Sequence, residues 1–196
     1  MIDNPDLPHA HSLFPKTPAP RSPKNADGLA RVVGYDVTAL IRRFLFDQKY
    51  PDSEIPGSDI SLTLCPRFSG TISIYHSAIA TYFAPSDTSG LGGMHRERIR
   101  ATPAWNRGES SVPRYDCVLV QVSPEDEGFR SMQVARIRSF FSIKHGNNTF
   151  PCALVEWYQT VGSGPDRDIG MWVIKPEYTA NRQRCVAAVI HLDSIV

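Results

Sequence analysis

The chain reads as a mainly β protein, a small antiparallel barrel or sandwich with one N-terminal amphipathic helix. Three observations predict this. Short apolar runs separated by Gly, Pro, Asn and Asp recur from residue 59 to the C-terminus. Helical periodicity of useful length occurs once, over residues 35–48. Finally, His145-Gly146-Asn147-Asn148-Thr149 separates two long apolar segments, as the turn of a β-hairpin does.

Residues 1–33 are predicted to form a disordered or extended Pro-rich tail, and residues 34–196 the β-rich domain. Pro5, Pro8, Pro15, Pro18, Pro20 and Pro23 remove backbone donors and block helix, and few apolar side chains remain to offset the entropy of ordering. Pro15-Lys16-Thr17-Pro18 fits a PxxP ligand, a match that any Pro-rich tract produces cheaply.

In the helix, Val37, Leu40, Ile41, Phe44 and Leu45 make one apolar stripe, with Asp36 as N-cap and Pro51 as stop. Arg42 and Arg43 flank the stripe, as a solvated pair or as contacts to an acidic partner. Residues 59–65 alternate as a half-buried strand, with Ile60, Leu62 and Leu64 on one face. Residues 71–83 form one bent strand or two, and 84–93 a loop. Residues 115–122 read as a strand buried on both faces. Residues 132–143 and 150–158 are the hairpin arms. On the first, Ala135, Ile137, Phe141 and Ile143 face one way and Arg136 and Arg138 the other; on the second, Ala153, Val155 and Trp157 share a face. Two further strands are expected at 171–175 and 185–192.

The bulk composition narrows the function classes. Net charge is +1, so any surface for nucleic acid must be a local patch. Cys65, Cys117, Cys152 and Cys185 lie far apart with no CxxC pair, which argues against a zinc site. The start, MIDNPDLPHAHSLFP, has neither the basic nor the apolar region of a signal peptide. An intracellular setting with reduced core thiols is therefore expected. No segment approaches the roughly 20 apolar residues that span a bilayer, so no membrane partner is expected.

The densest basic cluster is His95-Arg96-Glu97-Arg98-Ile99-Arg100, with Arg107 and Arg114 close by in sequence. On an extended strand Arg96, Arg98 and Arg100 share one side at a spacing of about 7 Å, close to that of successive phosphates on one strand. Trp105 is placed to stack on a base. Arg96, Arg98, Arg100 and Arg107 are therefore the candidate nucleic-acid-binding residues. The competing reading is a solvated edge, with Arg98 or Arg100 paired to Glu97 or Asp87.

Other chemistry finds less support. Gly90-Leu91-Gly92-Gly93 lacks the Lys-Ser/Thr of a P-loop and the GxGxxG of a dinucleotide fold. Asp116, Glu125, Asp126, Glu127, Asp166, Asp168 and Asp193 lie mostly in polar loops and suggest no two-metal site. His76 and Ser77 are adjacent on a strand and point to opposite faces. Phe140, Phe141, Trp157, Tyr158 and Trp172 raise the possibility of an aromatic cage, with Phe140, Tyr158 and Trp172 the members free of the predicted core. No catalytic residue, cofactor or metal is assigned.

The blocks RRFLFDQ, YHSAIATYFAPSD, GLGGMHRERIRATPAW, RYDCVLVQV, VARIRSFFSIKHG, FPCALVEWY, DRDIGMWVIKPE and VIHLDSIV occur in one order. That order resembles the C-terminal portion of Plavaka-type transposases, encoded by fungal DNA transposons, or of the related Kyakuja–Dileera–Zisupton group. The resemblance covers residues 35–196. It implies an intracellular, nuclear accessory module that binds DNA or chromatin, the alternatives being a protein-interaction module or a non-functional transposase fragment. The RNase-H-like core of such proteins lies upstream, so no catalytic residue carries over. The resemblance also implies a pattern continuing beyond Val196. The later blocks are similar to bromo-adjacent-homology barrels, an analogy of fold alone.

Overall fold

The computed structural model describes residues 12–15, 18–19, 22–83, 93–103, 112–123, 126 and 128–196. In chain order the elements are β1 (Ser12–Pro15), α1 (Ala26–Val33), α2 (Val37–Lys49), β2 (Ile72–Tyr75), β3 (Ser77–Phe83), β4 (Met94–Thr102), β5 (Arg114–Tyr115), β6 (Cys117–Gln121), β7 (Met132–His145), β8 (Asn148–Thr160), β9 (Ile174–Pro176) and β10 (Ala187–His191). Short 3-10 turns occupy Gly128–Ser131 and Leu192–Ser194.

The hairpin β7–β8 is the spine, paired from Ala135↔Trp157 out to His145↔Asn148. Its turn opens with Gly146 at φ 59, a conformation glycine adopts without Cβ strain. Each long strand carries two short strands on its outer edge. Against β7 lie β6, over the first half, and β2, over the second. Against β8 lie β10 and β9. These make one antiparallel six-stranded sheet, and β1-β3-β4-β5 make a second, antiparallel, four-stranded one.

The chain passes between sheets at His76, between β2 and β3, and at Asp116, between β5 and β6. Backbone bonds tie these corners to both layers: Ala101 N–H donates to His76 O (2.9 Å) and Ile137 N–H to Asp116 O (3.0 Å). The fold is thus the mainly β class expected, with sandwich-like sheets that do not close into a barrel among the described residues.

The large sheet is apolar on both faces because both are covered. Helices α1 and α2 pack on one face, where Leu29, Val37, Ile41, Phe44 and Leu45 meet Ile72, Ile74, Phe141, Ile143, Cys152 and Leu154. The small sheet covers the other, where Ala78, Ile99 and Ala101 meet Val120, Ala135, Ile137, Phe140, Ala153 and Val155. Leu192 and Ile195 enter this second core, and Val196 N–H donates to Leu119 O (3.0 Å).

Several expectations need correction, among them the strand at 171–175, where only Ile174 and Lys175 belong to β9. A β-bulge interrupts β7 between Ile137 and Ser139, so Arg138 is an extra residue opposite β8. A one-residue slip inverts every side chain beyond it. Ala135 and Ile137 therefore share the sandwich core with Phe140, whereas Phe141 and Ile143 face the helices. Phe140 is fully buried, not free for a cage.

A second helix, α1, lies in the stretch assigned to the tail. Asn25 caps it by accepting from Gly28 N–H (2.8 Å), and Gly34 ends it at φ 79. Ala26, Leu29, Ala30 and Val33 form a short helical stripe on the core. Ala19 is also buried, and its N–H donates to Ile74 O (2.8 Å).

Residues 59–65 are turns, not a strand. Two of their carbonyls, those of Leu62 and Cys65, accept from the Arg42 guanidinium, which also donates to the neighbouring Pro66 O. Arg43 likewise donates to Gly57 O (3.0 Å), so both half-buried arginines are engaged with backbone carbonyls. Leu64 is left exposed.

The segment 115–122 is not buried on both faces. Cys117 is exposed and Leu119 half-exposed, and only Val120 is in the core. Residues 71–83 resolve into two strands, and Trp157 is half-buried on the sandwich side beside Ala153 and Val155. All four cysteines are free thiols, of which Cys65 and Cys152 are buried.

Candidate nucleic-acid interface

Strand β4 pairs with β3 from Ser77↔Arg100 to Phe83↔Met94. Alternation then decides which side chains meet the core. Ile99 and Ala101 point inward, with Ala78 and Ala80 of β3. Arg96, Arg98 and Arg100 consequently share the outer face of the small sheet, about 7 Å apart along the strand. Arg96 and Arg98 are exposed and Arg100 half-buried.

The same alternation removes one proposed ion-pair partner. Glu97 lies on the opposite face, where its carboxylate accepts from the Tyr82 hydroxyl (3.4 Å), beside the His95 ring. Asp116 is the acid nearest the other end of the row. Its two oxygens accept from Arg100 N–H (2.8 Å) and from Arg114 Nε (2.9 Å). That ion pair consumes the charge of Arg114 and leaves the guanidinium of Arg100 outside it. Among the described residues none of the three β4 arginines makes an ion pair. Arg107, Trp105 and Asp87 lie outside the described residues, as does most of the glycine-rich loop.

A second charged cluster was not foreseen. Glu156 is only 8% exposed on β8, beyond the helix-covered rows. The hydroxyl of Tyr35, at the α1–α2 corner, donates to its Oε1 (2.7 Å). Nε of Arg138, the bulge residue, lies 3.6 Å from the same oxygen, and its guanidinium stacks on the Tyr115 ring at 4.5 Å. Burial, then the neighbouring carboxylate, holds the Tyr35 phenol well above its usual range. The cluster ties helix layer, bulge and both sheets together. Its one sequence signal is a lone Glu inside the apolar run CALVEWY. Next to it the Arg136 guanidinium sits over the Tyr158 ring at 5.4 Å.

The remaining candidates dissolve into structure. Tyr158 and Trp172 do not converge: Tyr158 stacks with Arg136, and Trp172 with Phe129 (centroids 5.0 Å apart). Asp166 Oδ1 accepts from the backbone N–H of Asp168 and Ile169, a local turn. His191 Nδ1 accepts from Asp193 N–H (3.3 Å). No group of three or more His, Cys, Asp or Glu that could hold a metal occurs among the described residues, and no helix there is long and apolar enough to cross a membrane. No protein-family model, curated protein or solved structure matches the chain.

Proposed function

We propose that this chain is a non-catalytic accessory module that binds the phosphate backbone of DNA, in free or chromatin form, through the arginine row of β4. The observation that carries this reading is the row itself: three guanidinium groups on one outward sheet face, spaced like phosphates and without counter-ions among the described residues. In a chain of net charge +1 such a row is a local anion site rather than part of a general positive field. The resemblance to the C-terminal portion of Plavaka-type transposases supports an accessory role in the nucleus, beside a catalytic core carried elsewhere.

The exposed apolar residues Tyr50, Ile55 and Leu64 around the end of α2 favour a second reading, a protein-interaction module. Salt separates the two. Titration of a fluorescent duplex at several salt concentrations should give a slope of log K against log salt of magnitude at least about 2.7, from about 0.9 per neutralised phosphate. The variant Arg96→Ala/Arg98→Ala/Arg100→Ala should lose about that much slope. Absence of binding by wild type at low salt, or an unchanged variant, would refute the phosphate reading and leave the interaction module.

A further inference from the structure

Resting on that reading, we infer that Ser77 and Thr81 of β3 belong to the same site, and that together with β4 they hold three consecutive phosphates of one strand. Register carries the argument. Ser77 is directly opposite Arg100, Ile79 opposite Arg98, and Thr81 opposite Arg96. Directly opposed residues share a face, with Cβ atoms about 4.5–5.5 Å apart. Each end of the arginine row thus has a hydroxyl beside it, and the middle has an aliphatic side chain.

All three β3 residues, the two hydroxyl-bearing ones included, are half-exposed. Neither makes a side-chain hydrogen bond among the described residues. The two Arg–hydroxyl pairs are four residues apart on β4, roughly 14 Å, which matches two steps along a nucleic-acid backbone. A hydroxyl donates to a phosphate oxygen that the guanidinium leaves free, and such contacts fix the register of a backbone on a protein. Over the middle phosphate Arg98 acts alone, and Ile79 lies against the sugar edge. The occupant is therefore a continuous phosphodiester strand.

Neutral donors and cations differ in what salt does to them. A hydroxyl releases no counter-ion when it binds phosphate, so its removal lowers affinity without altering the salt slope. The test is the duplex titration with wild type, with Ser77→Ala/Thr81→Val, and with Thr81→Ser, which keeps the hydroxyl. Val replaces Thr isosterically and favours a strand, and circular dichroism checks the fold. The double variant should bind on the order of tenfold more weakly at every salt concentration, with a parallel line. Thr81→Ser should bind as wild type does. A folded double variant with wild-type affinity, or one that loses slope, overturns the three-phosphate site while leaving the arginine reading intact. Failure of wild type to bind, or binding that the triple arginine variant retains, overturns both.

Discussion

Phe140 and Phe141 are consecutive on β7 and so point to opposite faces, and truncating each tests whether both faces are buried cores. Phe140 is fully buried between the sheets, and Phe141, 1% exposed, packs under the helices. Truncation of a buried Phe to Ala removes its transfer free energy and leaves a cavity, together costing about 3–5 kcal/mol. Neither site can collapse readily, since the neighbours of Phe140 are strand residues such as Ala78, Ile99 and Val120, held in ladders. Domains of this size are stable by about 5–15 kcal/mol, so Phe140→Ala removes a large fraction of the total. Equilibrium urea denaturation followed by tryptophan fluorescence measures the loss as a change in midpoint at constant m. Phe140→Leu and Phe141→Leu, milder changes, allow a double-mutant cycle in a protein that still folds. Because the two rings point into opposite layers, their effects should add within about 0.5 kcal/mol. A cost below about 1 kcal/mol for Phe140→Ala would refute its burial between the two sheets.

Glu156→Ala should cost about 2–4 kcal/mol, since it strips a partly buried Arg138 of its counter-ion and Tyr35 of its acceptor, and adding Arg138→Met should recover part of the loss, both read from urea midpoints. Because folding raises the Tyr35 phenol above its unfolded value near 10, the unfolded state loses its proton first; the stabilisation is intact below about pH 10 and drains away as pH rises toward the folded value. Thermal melts from pH 9 to 11 should show that fall, and Tyr35→Phe should flatten it. Burial lowers the His76 imidazole below its usual 6.5, opposed in part by a hydrogen bond to the Ala101 backbone, so its contribution is present above pH 6.5 and lost as pH falls through the folded value; His76→Gln should reduce the loss of stability between pH 7 and 5.

The row Arg96, Arg98, Arg100 was legible in the chain because strand alternation is local: once the segment is extended, three arginines at even spacing must share a side. The stripe of α2, its Asp36 cap and the β7–β8 hairpin were legible for the same reason, each being written in neighbours a few residues apart. The capping signal of α1 was present too, in Asn25, Gly34 and the spacing of Ala26, Leu29, Ala30 and Val33, but Pro23 and the proline-rich approach outweighed an eight-residue helix. Tertiary structure alone decided the rest. Residues 59–65 alternate correctly, yet a strand needs an edge to pair with, and here the segment forms turns whose Leu62 and Cys65 carbonyls are taken by Arg42. The bulge at Arg138 exists because two strands, β6 and β2, share one edge of β7, and the extra residue lies where one gives way to the other. That sharing depends on the pairing of β2 with β7, from Ile72↔Ile143 to Tyr75↔Phe140, between residues far apart in the chain, which no local period encodes. The burial of Glu156 depends on Tyr35, 121 residues away, arriving at the same point of the sheet.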